Sequence, residues 1–418
     1  MHAPSATLRT KLGAGLPANF WKLWGSSACA NVADGIALTA VPLIATRLTS
    51  SPAEFAGIAV AAQAPALLLG LIAGGLADRL DRRWTMLAVQ ILRVLVVGTL
   101  VGVALADALS MPILYVAAFI IGTGEAFFDT NAQSILPAVV GRERLVIANG
   151  RLFAVETITN TFIGPPLGGL LVALAIPLAL GGAAVGFALA AIGLLLMTGS
   201  FRAERSGQAR GLVREIGEGI EYLLRHRLLL ALSLMVALGR LGSAGFFALF
   251  ALYAVGPVGL DDVGYGILFI TIGAGSVLGS LLVGRVVAWL GRPGVLFAST
   301  IVFAMGIAVP ALTTNVVIIG AGLFATGVAV MTWNVTNVSL RQSILPSRLM
   351  GRVHATHRVL ATLAGLIGAV VAGAVGETIG LPAVFAVGSA IVLLGLLARL
   401  VVTEERIVAA EAQAATDL

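Results

Sequence analysis

Gln133-Ser134-Ile135-Leu136-Pro137 returns as Gln342-Ser343-Ile344-Leu345-Pro346, 209 residues further on, and each copy runs within a few residues into a Gly-Arg pair, Gly141-Arg142 and Gly351-Arg352. A repeat at that distance in a chain of 418 residues divides it into two related halves. Outward from either copy, apolar runs bounded by charge or turn residues fall at 20–46, 54–77, 84–106, 112–136, 148–174 and 178–199, then at 228–254, 263–289, 294–313, 316–340, 353–378 and 381–402. A hydrocarbon core of ~30 Å takes ~20 apolar residues per helix, so the pattern predicts an all-α integral membrane protein with twelve transmembrane helices. The two copies lie six spans apart and share an orientation, which makes the halves parallel pseudo-repeats about an axis along the membrane normal. Close pairs of spans separated at Ile176-Pro177 and at Gly380-Leu381-Pro382 read as helical hairpins.

Composition agrees. Hydrophobic residues make up 59% of the chain, charged residues 11%, and mean hydropathy is +1.02, too little polar surface to clothe a soluble domain of this length. A separate soluble enzymatic domain is excluded, and no Cys/His metal cluster, G-x-S-x-G elbow, H-E-x-x-H or G-x-x-x-x-G-K-[ST] motif occurs, so neither catalysis nor ATP hydrolysis is expected. The net charge of +6 sits in short clusters between apolar runs, a topology signal and not a nucleic-acid surface. Alternate loops carry nearly all of the arginine, from Arg79, Arg82 and Arg83 through Arg142 and Arg144 to Arg285 and Arg292, whereas the opposite loops hold Glu54, Asp107, Asp261, Asp262 and Glu377. By the positive-inside rule both termini are expected in the cytoplasm. The expected organisation is a six-helix bundle over 1–199, a cytoplasmic linker over 200–227 with an amphipathic helix at 212–224, a second six-helix bundle over 228–402, and a cytoplasmic tail over 403–418. Cys29 is the single cysteine and permits no intramolecular disulfide.

Between spans two and three, Gly74-Gly75-Leu76-Ala77-Asp78-Arg79-Leu80-Asp81-Arg82-Arg83 resembles the G-x-x-x-D-R-x-G-R-[RK] loop of the major facilitator superfamily, with Asp81 in place of the usual glycine. That departure is similar to the branch of macrolide, multidrug and siderophore exporters. A decayed copy, Gly284 to Arg292, places Ala288 where the aspartate belongs, so the second loop is expected to lack an aspartate-based latch. In span five, Gly164-Pro165-Pro166-Leu167-Gly168-Gly169 is similar to an element associated with drug antiporters, and it equally suits a bent, close-packing helix. The arginine that many such exporters carry in span four is absent, and Gly122-Thr123-Gly124-Glu125 stands there instead. The resemblance implies a conformational latch made by Gly74, Asp78, Arg79, Arg82 and Arg83, with Asp78 against the start of span eleven.

Charge inside a bilayer is costly and therefore marks function. Asp34, Glu125, Asp129 and Glu156 are the candidates for proton coupling. Glu125 and Asp129 stand four residues apart on one helical face, where two ionised carboxylates repel, so the pair is a plausible proton site. The alternative for Asp129 is a pairing with a basic residue near the membrane surface. Asn31, Asp34, Arg240, Trp333, Asn334 and Asn337 are the substrate-cavity candidates: amides supply hydrogen bonds and the indole a broad apolar face. Structural pairing is the plainer alternative, Asp34 with Arg240 and Glu156 with Arg93. His354 and His357 have no further ligand beside them and are read as loop features, not a metal site.

The reading is a monomeric exporter in a bacterial inner membrane. It is expected to expel an amphiphilic organic compound in exchange for protons by alternating access, with no cofactor beyond the proton gradient and no nucleic-acid partner. The rivals are a dedicated exporter of a metabolite such as a siderophore or a lipid-related compound, and, from another class, a transport-inactive scaffold or sensor.

Overall fold

The computed structural model describes residues 15–68, 81–199, 201, 212–345 and 347–416. Helices occupy the expected runs closely. Spans one to four are Ala18–Thr46, Pro52–Leu68 as far as it is described, Arg82–Leu105 and Met111–Val140. Span five is composite: Leu145–Thr157 continues through a π-helical turn, Ile158–Ile163, into Gly164–Leu174. Span six is Ile176–Leu195 and span seven Arg227–Val255. Spans eight and nine form one continuous run, Asp262–Leu312, broken only where Gly291 adopts φ 70° and ψ 166°. Spans ten and eleven are Val316–Ile344 and Ser347–Thr378, and span twelve is Leu381–Leu393 continued as a 3-10 helix to Leu400. Ten of these runs are long and apolar enough to cross a membrane, one of them holding both spans eight and nine, and the shorter Pro52–Leu68 completes twelve. The expected linker helix is present as Leu212–Arg225, and a further helix, Glu404–Thr416, closes the described chain.

Local chemistry explains the boundaries. Between spans five and six the chain leaves the helix at a single extended residue, Ala175, with Pro177 in the first turn of the next helix, where a missing amide costs nothing. Span three starts at Asp81, whose Oδ1 accepts from the backbone N–H of Arg83 at 3.0 Å. Span eight starts on Asp261, which accepts from Gly264 N–H at 2.8 Å, and span ten on Asn315, which accepts from Val317 and Ile318.

Two compact units are present, and they cut across the sequence halves. One comprises residues 1–40, 68–109 and 120–205; the other comprises 41–67, 110–119 and 206–418. The second unit therefore includes the arginine-poor ends of spans one, two and four together with all of spans seven to twelve. At its arginine-rich end, Leu228, Leu229, Leu232, Leu296, Leu340, Ile344 and Ile407 form a buried cluster. The corresponding cluster of the first unit is built on Phe20, Leu23, Met86, Phe128, Ile135 and Leu194.

Candidate functional site

Arg93 of span three is fully buried, an expensive place for a cation unless it is paired. Its Nη1 lies 3.3 Å from Oδ1 and 3.4 Å from Oδ2 of Asp34 on span one. Nε and Nη2 both donate to the carbonyl of Ile121 on span four, at 3.3 and 3.1 Å, and the guanidinium lies 4.8 Å from the centre of the Phe187 ring on span six. Gly124 makes this path possible: a Cβ on it would stand 2.6 Å from Arg93 Nε. Span four thus lacks an arginine of its own and accepts one from span three.

Glu125 follows directly on that glycine. It is solvent-accessible and lies within electrostatic reach of Asp34, Arg93, Asp129 and Glu156. Asp129, one turn on, is also accessible. Asp34, Asp129 and Glu156 thus lie within electrostatic reach of Glu125, with Arg93 beside them, and the proton candidates named from sequence are brought together in the first unit. The pairing differs from expectation: Arg93 meets Asp34 and not Glu156, because Gly124 opens the way toward span one. Arg240, the expected alternative partner of Asp34, is exposed on span seven.

The span-five element belongs to the same neighbourhood. Gly164 packs directly on Gly35, the residue after Asp34; a Cβ on Gly35 would stand 2.8 Å from Gly164 Cα and from Asn160 O. Gly168 lies equally close to the carbonyl of Ile36. Pro165 and Pro166 carry no amide hydrogen, so the carbonyls a turn earlier lose their α-helical donors, and the widened π turn lies directly ahead of them. Within that turn Asn160 donates to Asn31 Oδ1 at 3.5 Å, and Asn31 in turn donates to Ser27 O at 2.9 Å. The element is a close-packing contact placed beside Asp34. Asn160 was not singled out from sequence, since an amide at that position has no pattern of its own.

The second-half candidates do not assemble in the same way. Trp333 packs against the buried cluster of its unit, Asn334 is exposed, and Asn337 is 1% exposed with its Oδ1 unpaired. The indole is therefore part of the packing, and of the three only Asn334 faces open space.

Of the latch residues, Gly74, Asp78 and Arg79 lie outside the described residues. Arg82 donates to the carbonyl of Ser134 at 2.8 Å, inside the first copy of the repeat. Arg83 donates to the carbonyls of Leu194 and Leu195, both at 2.8 Å, and so closes the end of span six. Asp81, the departure from the usual glycine, does two things at once: besides capping span three, its Oδ2 accepts from Phe201 N–H at 2.9 Å. Asp81, Arg82 and Arg83 thus tie the start of span three to spans four and six and to Phe201.

At the arginine-poor end the second unit holds polar contacts between segments far apart in sequence. Arg47, after span one, pairs with Asp262 at the start of span eight (2.5 Å; side chains 46% and 18% exposed). Glu377, ending span eleven, accepts from Ser51 Oγ at 2.8 Å and from Ala53 N–H at 3.3 Å, so its carboxylate caps the N-terminus of span two. Among the described residues no group of three or more His, Cys, Asp or Glu side chains is arranged to hold a metal ion.

The sequence pattern of the family described as transmembrane secretion effectors matches residues 16–417. The multidrug efflux pump Tap of Mycolicibacterium fortuitum is 27% identical over 393 residues, 88% of this chain and 92% of that protein. An uncharacterised MFS-type transporter of Mycobacterium tuberculosis is 30% identical over 152 residues, about a third of either chain. Among solved structures, a point mutant of the nucleoside transporter NupG superposes with a TM-score of 0.75 at 13% identity, covering 91% of this chain and 99% of that one. A bacterial homologue of the iron transporter ferroportin in the inward-facing state gives 0.74 at 16% identity, covering 95% of this chain and all of that one. With its twelve apolar helices, its repeat and the full-length family match, the chain belongs to the transmembrane secretion effector family of the major facilitator superfamily and is a membrane transporter, not an enzyme.

Proposed function

We propose that this transporter exports amphiphilic organic compounds across a bacterial inner membrane in exchange for protons. The observation that carries the reading is the buried Arg93–Asp34 pair beside Glu125, which also lies within electrostatic reach of Asp129 and Glu156. Arg93 is committed to Asp34, which leaves Glu125 accessible and surrounded mostly by like charge. A proton taken up at Asp34 removes one member of the pair, and a buried cation left without its counter-ion costs about 3–5 kcal/mol. Protonation is therefore linked to a movement of Arg93 or to the charge on Glu125. A cationic or amphiphilic substrate arriving beside Glu125 favours the ionised form and expels the proton.

Likeness to the multidrug efflux pump Tap supports the drug-exporter reading. A dedicated exporter of anionic siderophores would call for several free cations; of Arg93 and Arg240, the arginines weighed from sequence for that role, Arg93 is bound to Asp34 and Arg240 alone is exposed. Alternating access draws support from the arginine-poor end, where the Arg47–Asp262 pair and the Glu377 cap join segments of both sequence halves by polar, partly exposed contacts. Contacts of this kind break at little cost, on the order of 1 kcal/mol each.

The test uses inverted vesicles with an acidic interior and a pH-sensitive dye. Addition of cationic and neutral drugs one at a time triggers proton efflux, and Glu125→Gln or Asp34→Asn abolishes it at equal protein level. A silent panel, from vesicles shown to contain folded protein, rules out multidrug antiport and leaves the dedicated exporter.

A further inference from the structure

The C-terminal helix, Glu404–Thr416, takes no part in the carboxylate site, yet it is fastened along its length. Arg292, between spans eight and nine, donates from Nε at 3.0 Å and Nη2 at 2.6 Å to Oε1 of Glu404, and from Nη1 at 2.6 Å to Oε1 of Glu411. The same Glu411 oxygen accepts from Ser343 Oγ at 2.7 Å. Glu404 and Glu411 stand seven residues apart, two turns along one face of the helix. Between them Ile407 is fully buried in the cluster with Leu296, Leu340 and Ile344. One apolar peg and two carboxylates thus lay this helix across the loop after span eight and the end of span ten.

The internal repeat shows what the helix replaces. Setting Gly284–Pro293 against Gly74–Arg83 brings Arg292 onto Arg82, Gly291 onto Asp81 and Ala288 onto Asp78. In the first half the loop carries its own carboxylate, Asp81, and Arg82 reaches Ser134 directly. In the second half both carboxylate positions are empty of acid. Gly291 turns the chain at positive φ, and Arg292 reaches Ser343, the repeat partner of Ser134, by way of Glu411.

We propose that the C-terminal helix is a surrogate for the missing loop carboxylates: a brace that ties the loop between spans eight and nine to span ten and keeps that end of the second bundle one rigid piece. All the groups it joins belong to the second half of the chain, so the brace stays shut while the bundles move past one another. This role is independent of what the protein carries.

The experiment is hydrogen exchange on the full chain in lipid nanodiscs, which needs no substrate and so fails or succeeds apart from the exporter reading. With Glu404→Gln and Glu411→Gln together, exchange over residues 285–294 and 338–345 rises at least tenfold, while residues 121–135 of span four keep their protection and certify the fold. A second variant, Arg292→Ala with Ser343→Cys and Glu411→Cys in a Cys29→Ala background, shows the same rise and regains protection when a short bis-methanethiosulfonate bridges the two thiols. Wild-type exchange in the neutralised variant overturns the brace. So does a bridged variant that stays unprotected.

Discussion

Spans four and ten are related by the repeat, yet they hold opposite contents. The offset of 209 residues sets Gly124 against Trp333, Glu125 against Asn334 and Asp129 against Val338. In span four a glycine leaves room for the guanidinium of Arg93, and the carboxylates follow on the accessible face. In span ten an indole fills the matching place and packs into an apolar cluster, followed by an exposed amide. A duplicated backbone therefore keeps its helices while one copy gathers carboxylates and the other, whose charge is the buried Arg341 near its end, carries an indole and an amide at the matching positions. The proposed proton chemistry is a property of the first half alone, and at the matching positions span ten contributes packing and an exposed amide.

The strongest way to break this comparison is Arg93→Ala. It strands Asp34 without its cation and is expected to cost about 3–5 kcal/mol, the largest loss of thermal stability among these variants. Asp34→Asn added to it recovers much of that loss in a melting experiment, and no recovery means the two groups are not a functional pair. Next in size is Gly124→Ala, whose Cβ intrudes on Arg93 Nε and costs about 1–3 kcal/mol by overpacking. By contrast Trp333→Phe leaves dye-reported proton release within about twofold, since an apolar ring of conserved character still fills the place. A large effect there would return span ten to the coupling site.

Asp262→Asn has a smaller effect, about 0.2–1 kcal/mol, and is read as faster thiol labelling of an engineered Ser51→Cys. Smallest is the acid response of the C-terminal helix. Hydrogen bonds from Arg292, and then Ser343, hold the Glu411 carboxyl below its ordinary range. A depressed carboxylate stabilises the fold above its unfolded-state value and loses that contribution as pH falls through the folded one. Exchange protection of residues 404–413 is therefore expected to stay level from neutral pH down to the usual carboxylate range and to fall only below it.

The fold was legible because a span is a long one-dimensional signal: about twenty apolar residues repeated twelve times leave few alternatives, and the described spans lie close to their expected runs, whereas the helix Glu404–Thr416 was not expected. Gathering the acidic candidates was legible too, because charge within apolar runs is rare. Partners were not. Nothing in Gly124 distinguishes a slot for Arg93 from ordinary small-residue packing, and the direction of that arginine depends on space made by another helix. The roles of Asp81 were hidden for a similar reason, since Phe201 lies 120 residues away. Glu404 and Glu411 fell within the expected cytoplasmic tail over 403–418, although their seven-residue spacing about Ile407 was a signal of one fastened face.

The π turn at Ile158–Ile163 also bears on how this protein tolerates changes of length. Each residue advances an α-helix by about 100°, so an insertion or deletion in a regular span swings everything beyond it onto the wrong face. Span five already carries one wide turn, and removing a single residue there would tighten it to an α turn. A π turn spends one residue more than an α turn on about the same rotation, so Glu156 ahead of it and Gly164 and Gly168 beyond it would keep their bearing, while Asn160, inside the turn, would lose its approach to Asn31. Shortening by one residue at this point should thus spare both membrane insertion and the packing of Gly164 on Gly35 while removing the Asn160–Asn31 contact.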